Sequence, residues 1–138
     1  MLSIYTCCRS KALFAAILEL DHVGLRRILD GAGEGTLSLL RSRDKDLQSP
    51  LHVAGVNGQL EMVELLVDRG SDVNARGQNG ATPLDWCAYR GRLKVVQLLL
   101  DRKADLEITN TFKNTALHSA SAAGHLVSLP LFFRLSFI

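Results

Sequence analysis

Apolar residues recur along this chain at helical spacing, in short blocks separated by polar or glycine-containing breaks. Leu13, Ile17 and Leu20 fall on one helical face, with Phe14 and Ala16 beside it. Asp21-His22-Val23-Gly24 interrupts that face, and Leu25, Ile28 and Leu29 restart it until Gly31. A helical pair over residues 10–30 is expected, preceded by a frayed, flexible terminus at 1–9. The glycine-rich stretch Gly31-Ala32-Gly33-Glu34-Gly35-Thr36 then reads as loop. Leu37, Leu39 and Leu40 are expected to fold back on the first pair. Further on, a short block (Leu51, Ala54) precedes a longer one (Leu60, Val63, Leu66, Val67). The same order returns as Leu84, Cys87 and Ala88, then Leu93, Val96, Leu99 and Leu100. Small residues on the packing side of the short helices let neighbours approach closely.

A longer period overlies the helical one. Ser49-Pro50-Leu51-His52-Val53-Ala54 is followed at a spacing of 33 by Thr82-Pro83-Leu84-Asp85-Trp86-Cys87, and again by Thr115-Ala116-Leu117-His118-Ser119-Ala120. Residues 43–75 laid over 76–108 share 11 identities without a gap, from Arg43/Arg76 to Asp72/Asp105. A constant period of this length marks stacked supersecondary units, each burying its faces against its neighbours. The register slips once, where five more residues separate Asp30 from Pro50 than separate Asp68 from Pro83.

Local chemistry explains the unit. Ser49 and Thr82 can cap a helix, and Pro50 and Pro83 stand in the first turn, where a missing N–H costs nothing. Gly58 and Gly91 suit a left-handed helix end. Gly70 closes one longer helix; Lys103 takes its place in the next, which is expected to fray. Asn79-Gly80 is a strong turn signal.

Short helix, tight turn, long helix and projecting turn, at this period, resemble the ankyrin-repeat family. The resemblance is carried by Thr82-Pro83-Leu84 with Gly91-Arg92-Leu93, Ser49-Pro50-Leu51-His52 with Gly58-Gln59-Leu60, and Thr115-Ala116-Leu117-His118 with Gly124-His125-Leu126. It implies an all-α solenoid of stacked helix-turn-helix units with projecting β-turns. The expected layout is a degenerate first repeat with an inserted loop at 10–42, repeats at 43–75 and 76–108, a partial repeat at 109–126 and an apolar tail at 127–138. Asp85 stands where the family usually has His, so the imidazole-to-backbone bonding of that turn is expected to be lost. Ala116 replaces the helix-starting proline. Pro130 falls inside the second helix of the third repeat, where proline costs about 3 kcal/mol. No polar cap follows it, so a truncated or alternatively ended form of a longer protein is expected.

The resemblance implies protein binding through the projecting turns and the exposed side of the short helices. Carried onto this chain, that surface is Lys45, Asp46, Gln48, Val56 and Asn57; then Gln78, Asn79, Ala81, Tyr89 and Arg90; then Thr111, Phe112, Asn114, Ala122 and Ala123. Tyr89, Arg90 and Phe112 add a bottom-up argument, because aromatics and arginine dominate interface energetics. Trp86 reads instead as packed between repeats. Asn74 resembles the position that asparaginyl hydroxylases modify in the family, though bracing its turn accounts for it equally.

Composition narrows the alternatives. The 138 residues carry a net charge of +2, with 47% hydrophobic and 22% charged residues. Arg26, Arg27, Arg41, Arg43, Lys45, Arg90, Arg92 and Lys94 could serve a nucleic acid or an anionic membrane, but interleaved acids such as Asp30, Asp44, Asp46, Glu61 and Glu64 dilute any field. No nucleic acid and no membrane span are expected. Three cysteines, at 7, 8 and 87, do not resemble a disulfide framework and suit a reducing cytoplasmic or nuclear setting. Residues 1–10 lack the pattern of a signal peptide, and the Cys7-Cys8 pair has no second anchoring signal for acylation. The glycine-rich stretch lacks the Lys-Ser/Thr ending of a phosphate loop. Cys87 aligns with Ala54 and Ala120 as a small packing residue, and no Cys/His pair has zinc spacing. No nucleophile, metal or cofactor site assembles, so the expectation is a non-catalytic, monomeric protein without a cofactor. Association is expected only through the apolar tail. A short form that competes with a longer relative is the remaining alternative.

Overall fold

The computed structural model describes the backbone of residues 2–125 and Pro130, with side chains from Cys8 onward. Among these residues there are eight α-helices and no strand: α1 (Leu2–Leu18), α2 (His22–Ala32), α3 (Thr36–Leu40), α4 (Pro50–Val56), α5 (Leu60–Asp68), α6 (Pro83–Tyr89), α7 (Leu93–Asp101) and α8 (Ala116–Ala122). The helices stack in two rows, α1, α4, α6 and α8 in one, α2, α5 and α7 in the other. The Val127–Ile138 tail, with the expectations placed on it, lies outside the described residues except for Pro130, which is exposed.

The two regular units follow from their caps. Ser49 Oγ accepts from the His52 N–H at 3.3 Å, and Thr82 Oγ1 accepts from the Asp85 N–H at 3.2 Å. Pro50 and Pro83 begin the helices behind these caps. Gly58 and Gly91 end the short helices at φ 72° and 70°. Each projecting turn closes on the same bond, one repeat apart. Asp44 N–H donates to Gln48 O at 3.0 Å, Gly77 N–H to Ala81 O at 2.9 Å and Asn110 N–H to Asn114 O at 2.9 Å. In the outer turns Asp44 Oδ1 and Asn110 Oδ1 each accept two further backbone N–H bonds. The middle turn has Gly77 at that position, where a Cβ would meet Gln48 Oε1 at 2.7 Å. Asn79 and Gly80 both adopt positive φ, as their dipeptide predicts.

The core is one continuous cluster running the length of the stack, from Leu13 and Ile17 through Leu51, Met62 and Leu66 to Leu84, Leu99 and Ala120. Burying each of the leucines contributes about 2 kcal/mol. Small residues set the spacing of α4 and α6: a Cβ on Gly55 would lie 2.6 Å from Cys87 Sγ.

Several sequence expectations are corrected. Residues 2–9 belong to α1, which begins at Leu2. The break between the first two helices is confined to Glu19, Leu20 and Asp21, and Asp21 Oδ1 accepts from Gly24 N–H at 2.8 Å as the cap of α2. Gly31 lies inside α2; Gly33, at φ 54°, ends it. The supposed loop is a 3-10 turn over Gly33–Gly35 running into α3, and Thr36 Oγ1 donates to Gly33 O at 2.7 Å. Leu39 and Leu40 are buried as expected, but Leu37 is 50% exposed. In α5 the buried stripe is Met62, Val63 and Leu66, while Leu60 lies at the surface; in α7 Val95 joins Val96, Leu99 and Leu100. Lys103 does not break the pattern set by Gly70. It adopts φ 70°, and Lys103 N–H and Ala104 N–H close α7 on Leu100 O and Leu99 O, as Gly70 and Ser71 close α5.

Candidate functional site

Side-chain and backbone bonds that span about one repeat length, from 29 to 39 residues, bind each unit to the next. The Ser49 N–H donates to His52 Nδ1 at 3.2 Å; because that donor cannot accept, the imidazole proton sits on Nε2, which donates to Ala81 O at 2.9 Å. Burial pushes the His52 pKa down to about 4, against the opposing effect of the Ala81 carbonyl. Asn74 Oδ1 accepts from Asp105 N–H at 2.8 Å, and Thr111 N–H donates to Asn79 O at 2.9 Å. Arg69 pairs with Asp30, and Arg102 with Asp68 and Glu64, along the outer row.

Asp85 occupies the His52 position of the next unit and does half its work. Its Oδ2 accepts from Thr82 N–H at 3.1 Å, so the turn is still braced internally. The bond to the following repeat is lost as expected: a carboxylate has no N–H to offer Asn114 O, and Asp85 Oδ1 is buried without a partner. Burial raises the Asp85 pKa, with the Thr82 bonds and Arg76 acting the other way. Asp85 makes no hydrogen bond to His52 or His118; His118 Nδ1 instead accepts from Thr115 N–H at 3.2 Å. Cys87 is fully enclosed, its thiol pushed up to about 12 by burial, a state that suits packing rather than nucleophilic attack.

Two adjoining cavities share Trp86. The first, of about 270 Å³, lies between the first and second regular units, with His52 and Val53 on one side and Gln78 and Arg90 on the other. Leu18, Asp46, Gln48, Val56 and Asn57 complete its wall. The second, of about 250 Å³, lies between the second unit and α8, lined by Asn79, Ala81, Asp85, Trp86 and Tyr89 opposite Asn110, Phe112 and Ser119. Trp86 and Tyr89 meet edge to face, with ring centroids 6.2 Å apart.

The structure therefore places Asp46, Gln48, Asn57, Gln78 and Arg90 around one cavity and Asn79, Tyr89 and Phe112 around the other. Lys45 and Thr111 are exposed but line neither. Asn74 is half-buried and spans two repeats through its amide oxygen. Trp86 corrects an expectation. It is only partly buried, it lines both cavities, and its Nε1 has no partner. Asp85 was also absent from the expected binding surface. Its departure from the repeat pattern is the available signal; it predicts a lost bond and a local hydrogen bond or ion pair with His52 or His118, and only the first is found. Among the described residues no group of three or more His, Cys, Asp or Glu is placed to hold a metal, and no helix is long and apolar enough to cross a membrane.

Two rows of stacked helix pairs with projecting turns and an open groove define a helical repeat protein. A family model described as ankyrin repeats (3 copies) matches residues 13–110, more than half of the chain, and the chain belongs to that family. A stretch of 56 residues is 38% identical to the serine/threonine-protein kinase VIK of Arabidopsis thaliana, covering 41% of this chain and 12% of that protein. Ankyrin repeats are in general non-catalytic and typically bind proteins.

Proposed function

We propose that this chain is a non-catalytic scaffold or adaptor whose groove, divided by Trp86, captures another protein. The observation that carries this reading is the pair of adjoining cavities, walled by polar and aromatic side chains from successive units. Gln48, at one cavity, and Trp86, at both, each hold a buried polar atom without a partner, although buried polar atoms are ordinarily bonded. Tyr89 and Phe112, 48% and 68% exposed, supply apolar contact area at the rim. Along the outer row Arg69 and Arg102 are paired with acids, and the net charge is only +2, which speaks for a protein rather than a nucleic acid. Free Cys8 and Cys87 suit a cytoplasmic or nuclear site of action.

The test is selection of peptides from a displayed random library on the immobilised chain, followed by challenge with a Tyr89→Ala, Arg90→Glu, Phe112→Ala triple variant. The variant should lose at least about tenfold in affinity for the selected peptides while its far-UV circular dichroism stays unchanged. Undiminished capture by a folded triple variant would show that this groove is not the binding face.

A further inference from the structure

The two cavities differ in chemistry. Around the first, Asp46 and Arg90 oppose one another in charge; around the second, Asp85 is the only charged side chain among the described lining residues. Asp85 is 3% exposed, its Oδ1 has no hydrogen-bond partner, and it makes no ion pair among the described residues. Arg76, the chain's own cation nearest in effect, is exposed and donates to Thr109 O at 3.2 Å. The same cavity gathers three of the chain's aromatic rings, Trp86, Tyr89 and Phe112. Ring faces attract cations, most strongly where water is excluded, and a carboxylate in the same cavity wall adds to that attraction.

We infer that the cavity between Asp85 and the rings of Trp86, Tyr89 and Phe112 takes an arginine side chain from the protein partner. This rests on the groove being a protein-binding face, and deepens it by naming the residue that the face selects. A guanidinium suits the place better than a lysine ammonium: it is planar, weakly hydrated and stacks on aromatic faces. Burial of Asp85 is unfavourable while its carboxylate lacks a cation, so the incoming charge relieves a cost that the empty fold already carries.

The chain contains one tryptophan, and it lines both cavities, so its fluorescence reports occupancy of either, and the Asp85 and Phe112 variants assign the signal to the second. N-acetyl-arginine amide should change Trp86 emission saturably, and the citrulline amide, its neutral counterpart, should bind at least about tenfold more weakly at equal ionic strength. Asp85→Asn keeps an acceptor for the Thr82 N–H and should weaken arginine binding about fivefold or more; Phe112→Ala, at an exposed position, should do the same without risk to folding. Equal binding of citrulline, or an unchanged affinity in both variants, would overturn the inference, as would the absence of saturation by the arginine amide. Peptides selected on the groove that lack arginine yet lose binding in the triple variant would end this inference and leave the protein-binding reading intact.

Discussion

At the scale of the residue, Lys103 shows how little a repeat tolerates in its backbone and how much in its side chain. Its counterpart Gly70 takes φ 101° freely, whereas Lys103 holds φ 70° against the clash of its Cβ with the backbone. The closing bonds of α7 survive, so the strain is carried rather than relieved. Lys103→Gly should therefore stabilise the chain by about 1 kcal/mol, the left-handed penalty less the extra entropy of glycine in the unfolded state. Urea unfolding measures it, and an unchanged or lower midpoint would mean that the lysine side chain contributes something its exposure does not suggest.

Between elements, the bonds from one unit to the next decide how the units couple. His52 ties α4 to the turn before α6 as a neutral ring, and its depressed pKa has a definite consequence. The unfolded ring takes up a proton near its ordinary 6.5 and the folded ring only near about 4. The unfolded state thus binds more protons across that window, and stability is full above 6.5 and lost as pH falls toward 4, by on the order of 3 kcal/mol. Denaturant midpoints measured between pH 7 and 4 should show this slope, and His52→Gln should flatten it. A slope that persists in the variant would place the acid sensitivity in other groups. No equivalent tie joins α6 to the turn before α8, because Asp85 has replaced the ring. The sequence made that loss readable, but not that Asp85 would line a cavity.

Over the whole molecule, stability comes from the continuous core rather than from the outer ion pairs. Leu13, Leu51, Leu66, Leu84 and Leu99 are at most 1% exposed, whereas the acids paired with Arg69 and Arg102 are more than half exposed in their side chains. Pairs of that kind contribute little and are screened by salt. Replacing both Arg69 and Arg102 with Met should leave the urea midpoint within about 0.5 M of the parent value. A larger fall would make the ladder a structural support of the solenoid.

The repeat order, the caps at Ser49 and Thr82, the turn at Asn79-Gly80 and the burial of Cys87 were legible in the sequence, because each rests on interactions within a few residues or on positions recurring in phase. The helical start at Leu2 and the 3-10 turn at Gly33–Gly35 were not, since fraying signals and glycine content do not say what the neighbouring units will support. Which side chains share a cavity was decided only in three dimensions. Trp86 reads as core by its place in the repeat, and it lines the groove because the units on either side leave space along α6. Asp85 and Phe112 stand 27 positions apart, and only stacking of the repeats brings them to one site. Local periodicity specifies the unit; the offset between units, set by packing at Gly55 against Cys87 and by the bonds from His52 and Asn74, specifies the groove.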